Sequence, residues 1–213
     1  MEQVIKWHSE AIGKKVVAAL GKNHFSAEYA AGKADALARA LAAIPAGSSI
    51  GLGGSVSKDE IGLTAALKER GGQIFDPHAP NLTREESLAM RRRGLIADVF
   101  VTGSNAVTLD GQLINIDGTG NRVAALAFGP GKVVIIVGVN KIVPDVHTGL
   151  KRIKTLAGPA NNKRLKLSNP CAATGLCMDC DSPARICNIT TITHKRPRQS
   201  DVHIIVVGEP LGY

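Results

Sequence analysis

Short apolar segments alternate with helical patterns along this 213-residue chain, and this order restricts the fold more than any other feature. The apolar segments lie at residues 49–52, 73–76, 97–102, 132–137 and 202–207. Aromatic residues make up only 3% of the chain, so the core must be built from Ala, Val, Ile and Leu, a composition that suits helices packed on a buried parallel sheet. The order predicts a layered α/β fold with a mostly parallel central sheet.

Capping residues place the ends of several helices. Residues 2–20 have apolar positions at helical spacing, and we expect Ser26 to cap a second helix that ends before Pro45. Ser57 with Glu60 has the spacing of a capping box and predicts a helix over 58–70. The same spacing of Thr83 and Glu86 predicts a helix that ends near residue 93.

The remaining elements are less regular. A hairpin is predicted for residues 106–108 and 112–116 around Asp110-Gly111, which would make the sheet mixed. Short helices are predicted over 121–128 and 145–156. We divide the chain into an N-terminal helical segment (1–45), an α/β core (46–160) and a cysteine-bearing tail (161–213) that completes the same domain.

All four cysteines fall within seventeen residues: Cys171, Cys177, Cys180 and Cys187. The first residues lack the apolar run of a signal peptide and no apolar stretch is long enough to span a bilayer, so we expect a cytoplasmic protein without membrane insertion. Thiols stay reduced in that compartment, which favours a metal site over disulfides. Four thiolates suit zinc or an iron–sulfur cluster, and the spacing does not distinguish the two. Redox or structural disulfides and inert thiols remain the alternatives.

Two glycine-rich loops follow predicted strands. The first contains Gly53, Gly54, Ser55 and Ser57, and its glycines would let the backbone approach an anionic ligand. A tight turn with Ser57 as an ordinary helix cap explains this loop equally well.

The second glycine-rich region contains Gly103, Asn105, Gly120, Asn121 and Arg122. Arg122 is suited to a bidentate grip on a carboxylate or phosphate, and a role in tying the loops together is the alternative. Neither region has the full glycine pattern of a dinucleotide or ATP site.

Other polar residues give weaker indications of a functional site. Glu60 and Asp117 are candidates for acid/base catalysis, but Glu60 is also the predicted partner of Ser57 in the capping box. His78 follows Asp76-Pro77 just after a strand, where a loop histidine is the simpler interpretation.

The net charge of +8 raises the question of whether the protein binds nucleic acid. The basic residues are dispersed and no aromatic residues lie among them to stack bases, which disfavours nucleic-acid binding. The three arginines at 91–93 are interpreted as a solvated helix face. The alternative for the positive charge is an anionic ligand, or a thiolate-ligated cluster whose negative charge is offset by Lys163, Arg164, Lys166 and Arg185.

Residues 100–143 (FVTGSNAVTLDGQLINIDGTGNRVAALAFGPGKVVIIVGVNKIV) resemble the core of the lactate-utilisation (LUD) domain family. GGSVSKDEIGL resembles the serine-containing loop of that family, and the segment from NPCAATGLCMDC to VVGEPLGY resembles the cysteine-bearing tail of one branch of stand-alone members. The resemblance covers most of the chain. It implies a fold like that of ribose-5-phosphate isomerase and the CoA transferases, with helices on both faces of the sheet and the ligand over loops at strand ends.

Some members of the family belong to an iron–sulfur system that oxidises lactate to pyruvate, although this chain has one four-cysteine segment and no ferredoxin-type motifs. The resemblance therefore suggests a protein that binds a small anionic metabolite, carries a metal or iron–sulfur centre and acts with redox partner proteins in organic-acid oxidation. The alternatives are an isomerase- or transferase-like enzyme acting on a phosphorylated or CoA-linked substrate, with a structural metal site, and a non-enzymatic regulator. The sequence leaves catalysis and a homo-oligomer open.

Overall fold

A computed structural model describes all residues from Met1 to Tyr213. The strands, in chain order, are β1 (Ser26–Ala30), β2 (Ile50–Leu52), β3 (Ile74–Phe75), β4 (Val99–Gly103), β5 (Ala106–Thr108), β6 (Leu113–Asp117), β7 (Lys132–Gly138), β8 (Ile142–Val143), β9 (Ile189–Thr193) and β10 (Asp201–Val207). The α-helices are α1 (Glu2–Lys22), α2 (Lys33–Ala43), α3 (Val56–Glu60), α4 (Leu63–Arg70), α5 (Arg84–Gly94), α6 (Asn121–Ala127), α7 (Val146–Arg152), α8 (Gly158–Arg164) and α9 (Pro170–Thr174).

The larger of two sheets has six parallel strands in the order β1-β10-β7-β4-β2-β3. Alternate residues of the central strand β7 enter two separate cores, because successive side chains of a strand point to opposite faces. Val134 and Ile136 pack with residues of α2 and α4, whereas Val133 and Ile135 pack with residues of α1 and α6. Helices therefore cover both faces, and the α/β fold with a mostly parallel sheet is confirmed.

The smaller sheet has the order β8-β5-β6-β9, and β5 and β6 form the predicted antiparallel hairpin. Gly111 in its turn has a φ of +83°, and a Cβ there would lie 2.7 Å from backbone atoms of α1. The hairpin thus rests directly on the first helix, which only a glycine at the turn allows.

The prediction that Ser26 caps a helix is wrong. Residues Ser26–Ala30 form the edge strand β1, which pairs in parallel with β10, and α2 begins only at Lys33. Segment 1–45 is therefore not wholly helical. SAEYA is short and combines polar with apolar residues, so its conformation depends on the neighbouring strand that pairs with its backbone N–H and C=O groups. That strand lies about 175 residues further along the chain.

The capping box predicted for Ser57 and Glu60 is also wrong. The helix breaks at Gly62, which has a φ of +78°, so that α3 and α4 are separate. The Glu60 carboxylate accepts a hydrogen bond from the backbone N–H of Gly212 instead. The second box is confirmed, because the side chains of Thr83 and Glu86 each accept a hydrogen bond from the other residue's backbone N–H, at 3.2 and 2.8 Å.

The last part of the chain contributes to both sheets. Strand β10 lies between β1 and β7, and β9, which the sequence did not predict, pairs with β6. The predicted helix over 145–156 continues through one turn of π-helix (Ile153–Ala157) into α8. The three-part division of the chain stays a prediction. None of the helices combines the length and the hydrophobicity needed to cross a membrane.

Candidate functional site

A cavity of about 300 Å³ lies among the loops that follow β2, β4, β6 and β7. The loops after β2, β4 and β7 meet because the carboxyl ends of parallel strands share one edge of the sheet, where ligands of α/β proteins bind. The loop after β6, a strand of the smaller sheet, joins them there. Six of the nine predicted ligand-binding residues line the cavity: Gly54, Ser55, Gly103, Asn105, Asn121 and Arg122.

The other three predicted residues lie nearby. Gly53 packs against Thr102, whose Oγ1 would lie 2.6 Å from a Cβ at this position. Ser57 is fully buried beneath the cavity, and Gly120 lines an adjoining cavity of about 310 Å³. The ligand role of all nine residues stays a prediction.

Arg122 ties the loops together. Its guanidinium donates to the side-chain oxygens of Asn115 (2.5 Å) and Asn105 (3.0 Å), and to the carbonyl oxygens of Ile116 (2.8 Å) and Gly103 (3.4 Å). Burial lowers the pKa of Arg122, and the Asp117 carboxylate, 3.7 Å from Nε, opposes this effect. Protein oxygens already accept hydrogen bonds from both terminal nitrogens of Arg122. This side chain therefore contributes positive charge to the cavity rather than free N–H donors.

The two candidate acid/base carboxylates are also engaged by the chain. Asp117 accepts hydrogen bonds from the backbone N–H groups of Thr119, Gly120 and Val123, which fixes the start of α6. Glu60 accepts from the backbone of Gly212 at 2.9 Å. Their observed contacts are therefore structural, and a catalytic role for either residue stays a prediction.

Positive charge dominates the cavity wall. Four cationic side chains line the cavity against a single carboxylate, that of Asp117, and they are Arg91, Arg122, Lys141 and Arg164. Burial lowers the pKa of His78, which also lines the cavity, and the charge of Arg91 acts in the same direction. His78 is therefore uncharged near neutral pH. The wall has the electrostatic character of an anion site.

Lys141 is the most unusual of these groups. It is only 5% exposed, and its Nζ donates a 2.8 Å hydrogen bond to the Ser57 hydroxyl. Burial lowers its pKa to about 8, and the charges of Arg152 and Arg122 add to this effect.

Another polar group at the cavity, unlike Lys141, has no hydrogen-bond partner within the protein. The Ser55 hydroxyl is buried without a hydrogen bond, and a Cβ on Gly103 would lie 2.6 Å from its oxygen. Buried hydroxyls are normally hydrogen-bonded, because leaving one unpaired costs about 1–3 kcal/mol. Ser55 therefore presents a free donor and acceptor at the cavity wall.

The sequence did not assign Arg91, Lys141, Arg164 or Tyr213 to the site. Lys141 follows a buried strand, which is a weak signal, and Arg164 lies in a helix that was not predicted. Arg91 was interpreted as part of a solvated face, but it is half-buried and lines the cavity. Only the packing of distant segments brings these residues together.

The cysteine segment borders the cavity, because Ile186, directly before Cys187, is part of the wall. All four cysteines are free thiols and half-buried. Burial raises the pKa of the Cys171 thiol, and the other three thiols act in the same direction. No three histidine, cysteine, aspartate or glutamate side chains, however, are close enough together to hold a metal ion.

Arg185 organises this segment. Its guanidinium donates to the carbonyl oxygens of Cys180 (2.6 Å) and Cys187 (3.3 Å) and forms an ion pair with Asp179. The backbone N–H of Cys177 donates to Lys154 in the π-helical turn at 3.1 Å. In chemical type the thiols suit a tetrathiolate centre, but the structure does not bring them close enough together to form one.

Comparisons with known proteins agree with this architecture. The family model of the LUD domain matches residues 13–207. A solved structure described as a DUF162 family protein from Deinococcus radiodurans has a similar fold, with 17% sequence identity, a TM-score of 0.50, and coverage of 95% of this chain and 98% of that one. No curated protein matches the chain. Because the family model covers most of its length, the chain belongs to the LUD domain family.

Proposed function

We propose that this protein binds a small anionic metabolite in the cavity and serves as a component of organic-acid oxidation, with lactate as one candidate substrate. The observation that carries the proposal is the convergence of four cationic side chains on a cavity with one carboxylate. A carboxylate or phosphate group would offset this charge and would supply a partner for the buried Ser55 hydroxyl.

Anion binding can be measured by titration calorimetry with lactate, pyruvate and inorganic phosphate. We expect Arg164→Gln to weaken binding by about 1 kcal/mol, roughly fivefold in Kd, because Arg164 lines the cavity. Lys163→Gln is the matched control, since this exposed neighbour in α8 does not line the cavity. Absence of binding for all three anions, or equal weakening by both variants, would contradict the proposal.

The proposal also assigns the four cysteines to a metal centre, either an iron–sulfur cluster or zinc. An iron–sulfur cluster would supply electron transfer to redox partner proteins, whereas zinc would hold the segment in place. The position of Ile186 in the cavity wall supports a centre beside the metabolite.

Metal content and the visible spectrum of protein purified without oxygen test this assignment. Iron with sulfide and a broad visible band would support a redox component, and colourless protein with stoichiometric zinc would support a structural centre. Cys177→Ser should lose the metal, whereas Met178→Leu, at an exposed neighbour in the same segment, should retain it. Metal-free protein with four titratable thiols would refute the assignment.

A longer anionic ligand, phosphorylated or linked to CoA, is the second candidate. The adjoining cavity favours it, because the two cavities share the lining residues Arg91, Thr119 and Asn121 and therefore lie next to each other. Tighter binding of CoA than of phosphate, with the difference removed by Arg92→Gln in the adjoining cavity, would support this reading.

A further inference from the structure

Lys141 carries an amine that anion binding alone does not explain. It lies in the short 3₁₀ turn Val139–Lys141 after β7 and lines the cavity. Its Nζ has one hydrogen-bond partner, the Ser57 hydroxyl at 2.8 Å, and no carboxylate within 4 Å. Lysines are almost never buried unless they are paired, because a charged ammonium loses its hydration there.

Lys58 shows how the same chain buries a lysine with compensation. It is also 5% exposed, but its Nζ contacts the Asp59 carboxylate at 2.6 Å and the Thr64 hydroxyl at 2.9 Å. The two lysines therefore match in burial and differ in pairing. The absence of a carboxylate is particular to the lysine that lines the cavity.

The surroundings of Lys141 favour the neutral amine. Burial lowers its pKa to about 8, Arg152 and Arg122 act in the same direction, and only Glu60 opposes them. Desolvation and neighbouring cations are the two environments that activate a lysine as a nucleophile, since the neutral amine carries the reactive lone pair.

We propose that Lys141 forms an imine with the carbonyl carbon of a 2-oxo acid held in the cavity. This inference rests on the proposed function, because it takes the cationic wall as the site of the acid's carboxylate. Two other cations of the wall, Arg91 and Arg164, supply the charge that selects an anionic carbonyl compound over a neutral one.

The step is a condensation without oxidation or reduction. The Nζ lone pair of the neutral amine attacks the carbonyl carbon, a C–N bond forms as the C=O π bond breaks, and one amine proton moves to the oxygen. The hydroxyl then leaves with the second amine proton as water, and a C=N bond is formed. The Ser57 hydroxyl, 2.8 Å from Nζ, positions the amine.

Reductive trapping tests the proposal. The protein is incubated with glyoxylate and cyanoborohydride, digested, and mapped by mass spectrometry. We expect a stable adduct on Lys141 that forms at least tenfold faster than on Lys58 or on exposed lysines. Glycolaldehyde, which replaces the carboxylate by a hydroxymethyl group, is the neutral control and should label Lys141 more slowly.

Two variants separate the amine from its charge. Lys141→Arg keeps a cation at this position but cannot form an imine, so it should lose the adduct. Lys141→Met has nearly the same shape and should also lose the adduct. The wild-type peptide map does not depend on the folding of either variant.

Phosphate and pyruvate binding without selective labelling of Lys141 would overturn this inference and leave the proposed function standing. Equal labelling by glyoxylate and glycolaldehyde, without anion binding, would overturn the 2-oxo acid as substrate class and the proposed function with it. An adduct spread equally over surface lysines would exclude Lys141 as a privileged nucleophile.

Discussion

At the scale of single residues, the site contains two largely buried cations that differ in their hydrogen-bond partners. Arg122 has hydrogen-bond partners for both terminal nitrogens, and they are supplied by β6, by the end of β4 and by the loop after β4. Lys141 has only the Ser57 hydroxyl. Arg122 therefore stabilises the shape of the cavity, whereas Lys141 is held in it at a cost in free energy.

We expect Arg122→Met to destabilise the fold by about 3 kcal/mol, because it leaves the oxygens of Asn105 and Asn115 and the Asp117 carboxylate without their buried partner. Urea unfolding measures the loss. Arg198→Met is the control, since Arg198 is exposed and should change stability by less than about 0.5 kcal/mol. Similar values for the two variants would show that Arg122 does not tie the loops.

Lys141→Met should remove a pH dependence of stability. The pKa of Lys141 falls from 10.5 to about 8 on folding, so the unfolded chain binds the extra proton between these values and stability rises with pH across that range. This pKa difference lowers the free energy of unfolding of the wild type by about 3 kcal/mol below pH 8. Unfolding curves at pH 7 and pH 10 measure it: Lys141→Met should be the more stable protein at pH 7, and the gap should shrink by pH 10. A constant gap would contradict the assignment.

At the scale of elements, α5 connects sheet packing to the cavity. It begins at the confirmed capping box, crosses β2 where Gly51 and Gly94 lie against each other, and brings Arg91 into the cavity wall near its end. The close approach of helix and strand depends on Gly51, because a Cβ there would lie 2.7 Å from the Cα of Gly94, whereas a Cβ on Gly94 would lie no closer than 3.5 Å to any atom of the neighbouring strands.

Thr83→Ala should destabilise the protein by about 1 kcal/mol, since it removes the hydroxyl that accepts the backbone N–H of Glu86. Thr83→Ser keeps that hydroxyl and should remain close to wild type. Chemical denaturation compares the two, and equal losses would show that the methyl group, not the cap, stabilises this end of α5.

Gly51→Ala should cost about 1–3 kcal/mol, because the added methyl group meets backbone atoms that cannot rotate away. Gly21→Ala, in α1, is the matched control: no atom lies within 4 Å of the new Cβ, so the variant should gain up to about 1 kcal/mol in helix propensity. Thermal unfolding should therefore move in opposite directions for the two variants. A stable Gly51→Ala protein would mean that α5 shifts without loss.

At the scale of the whole molecule, the cysteine segment connects the cavity to the rest of the fold. Ile186 lines the cavity, Asn188 bonds to the backbone of Asp117 and Gly118, and Cys177 bonds to the π-helical turn. The proposed metal centre would therefore fasten several elements at once.

Removal of the metal with a chelator should lower the Tm of the wild type, because a ligand that binds only the folded state stabilises it. Cys177→Ser should already unfold at the lower temperature and should not respond to the chelator. Exposed Met178→Leu is expected to behave as wild type. If the chelator leaves the wild-type Tm unchanged, the cysteines do not hold a metal that supports the fold.

Much of the fold is determined by local sequence. The apolar segments at residues 97–102, 132–137 and 202–207 became the buried strands β4, β7 and β10 with shifts of two residues or fewer, and Thr83 with Glu86 marked the start of α5. These signals are strong because a buried strand needs a continuous apolar run and a cap needs residues only three positions apart.

Tertiary structure decided the rest. Ser26–Ala30 became a strand only because β10 lies beside it. The Ser57 hydroxyl does not cap a helix and instead accepts a hydrogen bond from Lys141, a residue 84 positions away. The two glycine-rich loops were readable from the sequence because their glycines mark backbone turns. The cationic wall was not, because Arg91, Lys141 and Arg164 come from separate segments and meet only where the strand ends and the last helices pack together.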